Sequence, residues 1–412
     1  MTKTAQNLLA GLDIGSSFVR LAIGNLILHK QGMSEIQILG CAETPSEGIN
    51  KGMITNIEDV VSSISSCLEQ AEHITGNPIE SVFVGIPGTQ IIIQNSRGYA
   101  VVSKADNEIT ESDKWRAIES SKSVATPLNY EVLYVTPRSF IVDGQGGIKE
   151  PVGMTGVRLE VDTKIVLGQS SQIKNLTRAI YRTGIEIDGM ILSLIAIADT
   201  VLSPKQKELG VVLINIGATT TSLIVYEEGE MLYLGVLPIG GVHITNDLAV
   251  GLRDHVEVME KLKIEQGNCS SEALNSREEI DLFNYGALEH LKVKEKEVAT
   301  IISARVEEIM FLVDKELKKI GKSGMLPAGA VLVGGTAKLP GILEIARKYL
   351  RLPASLGLPY GLISATDKIN DPSYTTAISL VKWGADYILD QQFRDHKSLI
   401  QKIKGLWSKF NF

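Results

Sequence analysis

Two stretches of the chain share one pattern of apolar and polar positions. Residues 8–23 and residues 210–225 each contain an apolar run, one polar residue, the pair Ile-Gly, a few small or hydroxyl residues and a second apolar run. The pattern predicts a strand, a tight turn and a second strand in each place, with the turns at residues 13–17 and 215–221. Because the copies lie about two hundred residues apart, we expect two lobes of related fold.

Helix and strand signals alternate along the rest of the chain. Short strands dominate residues 91–165, with one helix near residues 111–125, and we expect this stretch to be an inserted α+β unit. The whole pattern predicts an α/β protein. Apolar residues at helical spacing predict further helices over residues 56–75, 171–184, 192–202 and 292–320.

Two Gly-Gly pairs precede predicted helices. The pair at residues 240–241 begins a helix for which Thr245 is the candidate N-cap. An apolar strand at residues 330–333 ends at the second pair, and we expect the helix after it to begin at Pro340.

The composition narrows the class of protein. Of 412 residues, 44% are hydrophobic and 22% are charged, the balance of a soluble globular chain. The formal net charge of −7 argues against a nucleic-acid partner. Three widely spaced cysteines predict a reducing cytoplasm, and the six His show no metal-ligand spacing. Neither a signal peptide nor a membrane-spanning run is predicted.

The two predicted turns contain the residues that a phosphate-binding loop needs. Gly lets backbone N–H groups approach an anion closely, and Ser and Thr add short hydroxyl donors. Asp13, where the first strand ends, would hold Mg²⁺ through water. Two β-hairpin turns without a ligand are the alternative. The turn residues are Gly15, Ser16 and Ser17 in the first copy and Gly217, Ala218, Thr219 and Thr220 in the second.

A third turn, with Gly334, Gly335 and Thr336, could let a flat nucleotide base lie against its backbone, because glycine has no side chain in the way. Taken alone, a Gly-Gly turn indicates little. A Walker phosphate loop is not predicted, because Gly-Lys-Ser at residues 321–323 lacks the preceding strand and Gly-rich loop.

The order of turn, turn and Gly-Gly pair resembles the actin, sugar-kinase and heat-shock-chaperone superfamily. Four segments are similar to the narrower family of bacterial FtsA cell-division proteins, over nearly the whole chain. The segment at residues 148–159 is the most specific to that family, whereas the turns are common to the superfamily. The segments are residues 11–17, 44–52, 148–159 and 240–245.

The resemblance implies an actin-like, two-lobed nucleotide-binding fold that takes ATP and Mg²⁺. Its first phosphate motif would be Asp13, Gly15, Ser16 and Ser17, and its second Asn215, Gly217, Ala218 and Thr219. Its adenosine motif would be Gly334, Gly335 and Thr336, with Glu260 and Lys263 on a helix beside the base and Gly240 and Gly241 near the phosphates.

The resemblance also implies a division of the chain into parts. We expect a first lobe, an inserted subdomain, a second lobe, an upper second-lobe subdomain, a linker and a C-terminal amphipathic helix. In that order, the parts are residues 1–83 with 165–203, 84–164, 204–234 with 321–389, 235–320, 390–396 and 397–412.

The partners implied are those of a cell-division protein. They are the tubulin-like protein FtsZ on the upper second lobe, further copies of the chain in filaments, and later division proteins on the inserted subdomain. The location implied is the cytoplasmic face of the membrane at the septum. Two alternatives share the fold: a pilus-assembly scaffold of the PilM type, and a small-molecule kinase, for which no catalytic Asp or sugar pocket is evident.

The last sixteen residues have one apolar face and four lysines without an acidic residue. Such a helix fits the plane of an anionic membrane. A terminal helix docked on the protein's own core is the alternative; FtsA-like proteins end in a membrane anchor, which favours the first interpretation. The membrane-binding residues would be Leu399, Ile400, Lys402, Ile403, Lys404, Leu406, Trp407, Lys409 and Phe410.

One position departs from the superfamily pattern. Asn215 stands where many members carry Asp, and an amide cannot act as a base. Asp199 is the nearest carboxylate to the expected position of a base, and it is as easily a solvated helix residue. His243 is interpreted as a packing or capping residue. We therefore expect ATP binding with weak or no hydrolysis.

Overall fold

The computed structural model describes residues 7–28, 34–89, 91–123, 126–270 and 278–389. The strands within them are Asn7–Ile14 (β1), Phe18–Leu28 (β2), Ser34–Pro45 (β3), Ile49–Asn50 (β4), Met53–Ile54 (β5), Ser81–Ile86 (β6), Ile91–Val101 (β7), Tyr130–Val142 (β8), Gln145–Ile148 (β9), Arg158–Gln169 (β10), Glu186–Leu192 (β11), Val211–Ile216 (β12), Thr221–Glu227 (β13), Glu230–Leu237 (β14), Glu279–Asp281 (β15), Lys292–Lys294 (β16), Ala330–Val333 (β17), Ala354–Leu356 (β18) and Ile363–Ser364 (β19).

The helices alternate with these strands as an α/β pattern requires. They are Ile57–Thr75 (α1), Glu111–Ser121 (α2), Ser170–Tyr181 (α3), Ser193–Val201 (α4), Pro204–Leu209 (α5), Gly241–Leu252 (α6), Val256–Gln266 (α7), Glu295–Lys319 (α8), Ile342–Leu350 (α9) and residues 375–389 (α10).

Two sheets repeat one topology. The first has the order β11-β6-β1-β2-β3-β19, and the second has the order β14-β13-β12-β17-β18. In the first sheet, β1 pairs antiparallel with β2 and parallel with β6. In the second sheet, β12 pairs in the same way, antiparallel with β13 and parallel with β17. Central strands of this kind are buried on both faces, which explains their continuous apolar runs. The predicted repeat of two related lobes is confirmed.

Residues Gly88–Arg178 form a separate compact unit. Its sheet has the order β7-β10-β8-β9, and α2 packs on β7 and β10 over a small core. The predicted limits of the inserted subdomain, 84–164, differ from the bounds of this unit at both ends. They cut β6, which pairs with β1, and β10, which continues to Gln169 because it pairs with β7 and β8 along its length.

The assignment of residues 321–389 wholly to the second lobe is also wrong. β19 pairs with β3 of the first sheet, and α10 lies on that sheet. Glycines make this close approach possible, because a Cβ at Gly11 would lie 2.3 Å from the carbonyl oxygen of Ala377, and one at Gly384 would lie 2.3 Å from the ring of Phe83. The chain therefore returns to the first lobe before it ends.

Three helices begin elsewhere than predicted. The N-cap of α6 is Gly240, and Thr245 lies inside the helix. α9 begins at Ile342 after Gly341, which has a φ of 83° that favours glycine, so Pro340 lies before the cap. α8 begins at Glu295, since the lysines before it form β16.

No helix within the described residues is long and apolar enough to cross a membrane. The predicted linker at residues 390–396 and the predicted amphipathic helix at residues 397–412 lie outside the described residues.

A buried carboxylate fixes the start of α2. The Oδ2 atom of Asp113 accepts hydrogen bonds from the backbone N–H and the hydroxyl of Thr110, at 2.9 and 2.6 Å. Its Oδ1 atom accepts from Ser103, at 2.9 Å, and from Arg116. Burial acts to raise the pKa of Asp113, but these donors outweigh it and hold the pKa well below its usual range.

We expect Asp113→Asn to destabilise α2 by about 2 kcal/mol, because either orientation of the amide turns its NH₂ toward donors. Amide hydrogen exchange of α2 in the full chain measures the loss. Glu119→Gln is the control on the same helix: it removes the same charge from a side chain that is 67% exposed, so amide exchange of α2 should not change. Since the pKa of Asp113 is lowered, its contribution is present at neutral pH and is lost as the pH falls. Equal exchange in the two variants would contradict this account of α2.

Candidate functional site

The two predicted turns have the same backbone geometry. The N–H of Gly15 donates to the carbonyl of Phe18 at 3.0 Å, and the N–H of Gly217 donates to the carbonyl of Thr220 at 2.9 Å. A Cβ at Gly15 would lie 2.7 Å from the Phe18 oxygen, so the first turn has no room for a side chain at this position. The repeat in the sequence is therefore a repeat of one four-residue turn.

Four backbone donors in these turns are left over. In the part of the chain that the structure describes, the N–H groups of Ser16, Ser17, Ala218 and Thr219 make no hydrogen bond to the protein. Unpaired N–H groups in consecutive turn positions form a concave site for an anion. A phosphate can accept from all of these donors, which in a hairpin turn without a ligand would face water.

The two turns meet through their side chains. The hydroxyl of Thr219 donates to Oγ of Ser16 at 2.9 Å, which joins the two lobes of the repeat directly. A short hairpin, formed by β4 and β5, reaches the same atom, because the N–H of Gly52 donates to Ser16 Oγ at 3.2 Å. The N–H of Ser46 donates to the carbonyl of Ser17 at 2.9 Å. The sequence prediction did not include Ser46 or Gly52, although both lie in the family-like segment at residues 44–52.

The Gly-Gly pair at residues 240–241 packs against the second turn. The N–H of Gly241 donates to the carbonyl of Gly217 at 2.9 Å, and the next N–H donates to the carbonyl of Ala218 at 2.8 Å. A Cβ at Gly240 would lie 2.5 Å from the Gly217 oxygen, so only glycine permits this approach. Nδ1 of His243 accepts from the N–H of Gly240 at 3.1 Å, which confirms the capping interpretation of His243.

Lys263 and Glu260 lie on α7 and face this loop. The ammonium of Lys263 donates to the carbonyl of Gly241 at 3.2 Å, to the hydroxyl of Thr245 at 2.8 Å and to Glu260 Oε2 at 2.6 Å. An ammonium has three protons, so the protein uses all of them. Thr245 also donates to Gly241 and contacts Glu260. This arrangement fixes the loop, and it leaves the half-exposed Glu260 carboxylate with a second oxygen for a ligand.

The Gly334–Thr336 turn contacts the same second turn. The hydroxyl of Thr336 donates to the carbonyl of Gly217 at 3.1 Å. Gly334 has a φ of 91°, and a Cβ there would lie 2.5 Å from Oδ1 of Asn215, so glycine is required. At Gly335 a Cβ would meet only Ser373, at 3.8 Å. The backbone at Gly335 therefore has open space beside it.

Asp13 lies at the edge of the first turn, directly opposite Arg20 in the β1–β2 register. Burial raises the pKa of the Asp13 carboxyl to about 6, and the charge of Arg20 and a hydrogen bond from Thr376 act in the opposite direction. Arg20 is itself held by Glu43, at 2.5 Å, and lies 5.5 Å from the ring centroid of Tyr374. The pairing of Arg20 with Asp13 could have been predicted from the sequence by counting residues across the four-residue turn. The contacts of Tyr374 with Arg20 and of Thr376 with Asp13 could not, because these residues are distant in the chain.

Among the described residues, no group of three or more His, Cys, Asp or Glu side chains is arranged to hold a metal directly. A single carboxylate at a phosphate site fits a Mg²⁺ ion that keeps most of its water. Asp199, the weak candidate for a base, pairs with Lys207 at 2.5 Å and is therefore engaged elsewhere.

Comparison with solved structures identifies the fold. The chain is similar to PilM in a PilM-PilN type IV pilus biogenesis complex, with a TM-score of 0.64 and 14% identity over 92% of this chain and 98% of the other. It is also similar to MreB5 of Spiroplasma citri bound to ADP, with a TM-score of 0.51 and 11% identity over 95% and 98% of the two chains. These likenesses show the actin-like fold.

Comparison with sequences is more specific. Residues 212–379 match the model of "Cell division protein FtsA", and residues 88–167 match "SHS2 domain inserted in FTSA". The chain is 37% identical to FtsA of Neisseria meningitidis serogroup B over 91% of its length and 90% of the relative's. It is 34% identical to FtsA of Pseudomonas aeruginosa over 92% and 89% of the two chains. With this fold, this inserted domain and these relatives, the chain belongs to the FtsA family of cell-division proteins.

Proposed function

We propose that this protein binds ATP with Mg²⁺ between its two phosphate turns, polymerises under nucleotide control and tethers FtsZ filaments to the membrane. The observation that carries the nucleotide site is the convergence of the two turns, joined at Ser16 and Thr219, with four backbone donors free between them. Donors of this kind stabilise phosphate oxygens and require no acidic or basic side chain.

The residues of the site divide into three groups in this proposal. The first turn, with Gly15, Ser16 and Ser17, and the second, with Gly217, Ala218 and Thr219, hold the phosphates. Asp13 orients the water shell of Mg²⁺. The base and ribose lie against Gly334, Gly335 and Thr336, beside Glu260, while Lys263, Gly240 and Gly241 keep the loop in place.

Slow or absent hydrolysis is part of the proposal. General base catalysis needs a group within hydrogen-bond reach of the attacking water and a pKa suited to the task. Asn215 lies at the end of β12, where its amide has no basic character, and the Asp199 carboxylate is paired with Lys207. The site is therefore better suited to a nucleotide-controlled scaffold than to rapid turnover.

The tether rests on family membership and on the tail sequence. FtsZ is expected on the upper second-lobe subdomain, about residues 235–320, and later division proteins on the inserted unit. Leu399, Trp407 and Phe410 would enter the headgroup boundary of the cytoplasmic face, and lysines such as Lys402 would face anionic lipid. The protein would then be a peripheral membrane protein at the septum.

The alternative function is that of a PilM-like pilus-assembly scaffold, which would have the same fold but would not tether FtsZ to a membrane. It is favoured only by the fold likeness at 14% identity. A scaffold of that kind has no use for a basic amphipathic tail. Binding of FtsZ to the chain on vesicles, compared with a chain that lacks the tail, separates the two functions.

We expect Gly335→Asp to weaken ATP binding at least about tenfold, because it places a carboxylate in the open space beside the turn at residues 334–336, the proposed adenosine turn. Titration of the purified chain with ATP and Mg²⁺ in a calorimeter measures the affinity. Gly335→Ala should bind nearly as well as wild type, since its Cβ has room at 3.8 Å from Ser373.

Gly146→Asp on β9 is the matched charge control, as a Cβ at this position meets only Ile141, at 3.7 Å. It adds the same charge at an exposed glycine and should leave ATP affinity unchanged. Wild-type affinity in Gly335→Asp would remove the adenosine assignment.

We expect deletion of residues 397–412 to abolish co-sedimentation with anionic vesicles while ATP affinity stays unchanged, because the tail supplies the basic, apolar face. FtsZ should still bind the shortened chain in solution, but it should no longer be recruited to vesicles. Vesicles of neutral lipid should recruit the full chain weakly, as each lysine near an anionic surface contributes about 1 kcal/mol. Undiminished sedimentation of the shortened chain would rule out the anchor.

A further inference from the structure

The segment at residues 44–52 contacts the first phosphate turn through Ser46 and Gly52, and the proposed ATP site assigns it no role. It leads into the β4–β5 hairpin, whose tip is Lys51 and Gly52. The base of the hairpin is fixed: the N–H and hydroxyl of Thr55 donate to the carbonyl of Gly48, at 2.8 and 3.0 Å. Gly48 has a φ of 74°, and a Cβ there would lie 2.4 Å from the carbonyl oxygen of Asn56, the N-cap of α1. These contacts fix the conformation of the hairpin at its base.

The hairpin is attached to the first phosphate turn at two points. Ser46, before the hairpin, donates its N–H to the carbonyl of Ser17, and Gly52, at the tip, donates its N–H to Ser16 Oγ. Ser16 Oγ also accepts the hydroxyl of Thr219. A hydroxyl oxygen has two acceptor positions and one hydrogen. With both acceptor positions filled, Ser16 has only its hydrogen left, and that hydrogen can serve only an acceptor such as a phosphate oxygen.

The contacts also set the order of elements along the site. The adenosine turn touches the second phosphate turn at Gly217, through Thr336. Two residues further along that turn, Thr219 touches Ser16, and Ser16 touches Gly52. The hairpin therefore lies at the end of this series of contacts that is remote from the adenosine turn. A nucleotide laid along the series would bring its terminal phosphate to the hairpin.

Lys51 stands next to the attached Gly52. It is exposed and has a φ of 49°, and its neighbour Gly52 contacts Ser16, so its side chain is a flexible cation one residue away from that contact. The described residues give it no ion pair. A lysine so placed is a point charge for a phosphate.

On the basis of the proposed ATP site, we propose that the β4–β5 hairpin is a third phosphate-side element of the site. Ser16 donates its hydroxyl hydrogen to the terminal phosphate of ATP, and Lys51 places its ammonium beside the same group. ADP lacks this phosphate and leaves both donors unused. The hairpin then distinguishes the two nucleotides and is ordered by ATP more than by ADP.

The test is the affinity of the full chain for ATP and for ADP, each with Mg²⁺. Lys51→Gln should weaken ATP binding about fivefold and change ADP binding less than about twofold. Lys51→Arg keeps the charge and should restore most of the ATP affinity. Lys205→Gln, an equal loss of charge at an exposed position of α5, should change neither affinity.

Hydrogen exchange of the amides at residues 49–54 gives a second measurement. In the wild-type chain, ATP should slow this exchange more than ADP does, and in Ser16→Ala the two nucleotides should act alike. An unchanged preference for ATP over ADP in Lys51→Gln would overturn the inference while the proposed ATP site stands. A wild-type chain that bound neither nucleotide would overturn the proposed function and this inference together.

Discussion

The hydrogen bond between the hydroxyls of Thr219 and Ser16, at 2.9 Å, is the contact on which the site depends. Each hydroxyl belongs to a turn that is closed by a glycine N–H, and their contact brings the remaining backbone donors of the two turns near one another. The turns cannot converge unless the lobes are held together, and the lobes are held in part by this contact. The same hydrogen bond therefore helps both to form the site and to hold the two lobes together.

The two turns are alike in backbone and unlike in chemistry. Asp13 is the last residue but one of β1 and Asn215 is the last but one of β12, so only the first turn has a titratable group beside it. Burial raises the pKa of Asp13 to about 6, and Arg20 opposes this shift from the next strand. In the proposed function a hydrated metal would bind on the Asp13 side, and the uncharged amide of Asn215 on the other side supplies no base for hydrolysis.

The chain closes the site by returning to the first lobe. The N–H of Gly334 donates to the carbonyl of Pro372 at 3.2 Å, and four residues later Thr376 hydrogen-bonds Asp13. One short segment thus contacts both the Gly334–Thr336 turn and Asp13. It continues as α10, which lies on the first sheet because Gly11 and Gly384 leave it room. Family membership agrees with this architecture, and the residues to which the proposed function assigns the tether follow α10 in the sequence.

The sequence by itself determined the repeat, the two turns and most helices, because apolar periodicity and glycine positions are local properties. It predicted Asp13, Gly217 and Gly335 at the site for the same reason. Only the tertiary structure decided that Thr245 sits inside α6 with Lys263, that residues 375–389 lie on the first sheet, and that Gly52 reaches Ser16. Those contacts join residues that are distant in the chain. The spacing of residues along the sequence predicts local structure, but it does not determine which distant surfaces pack together.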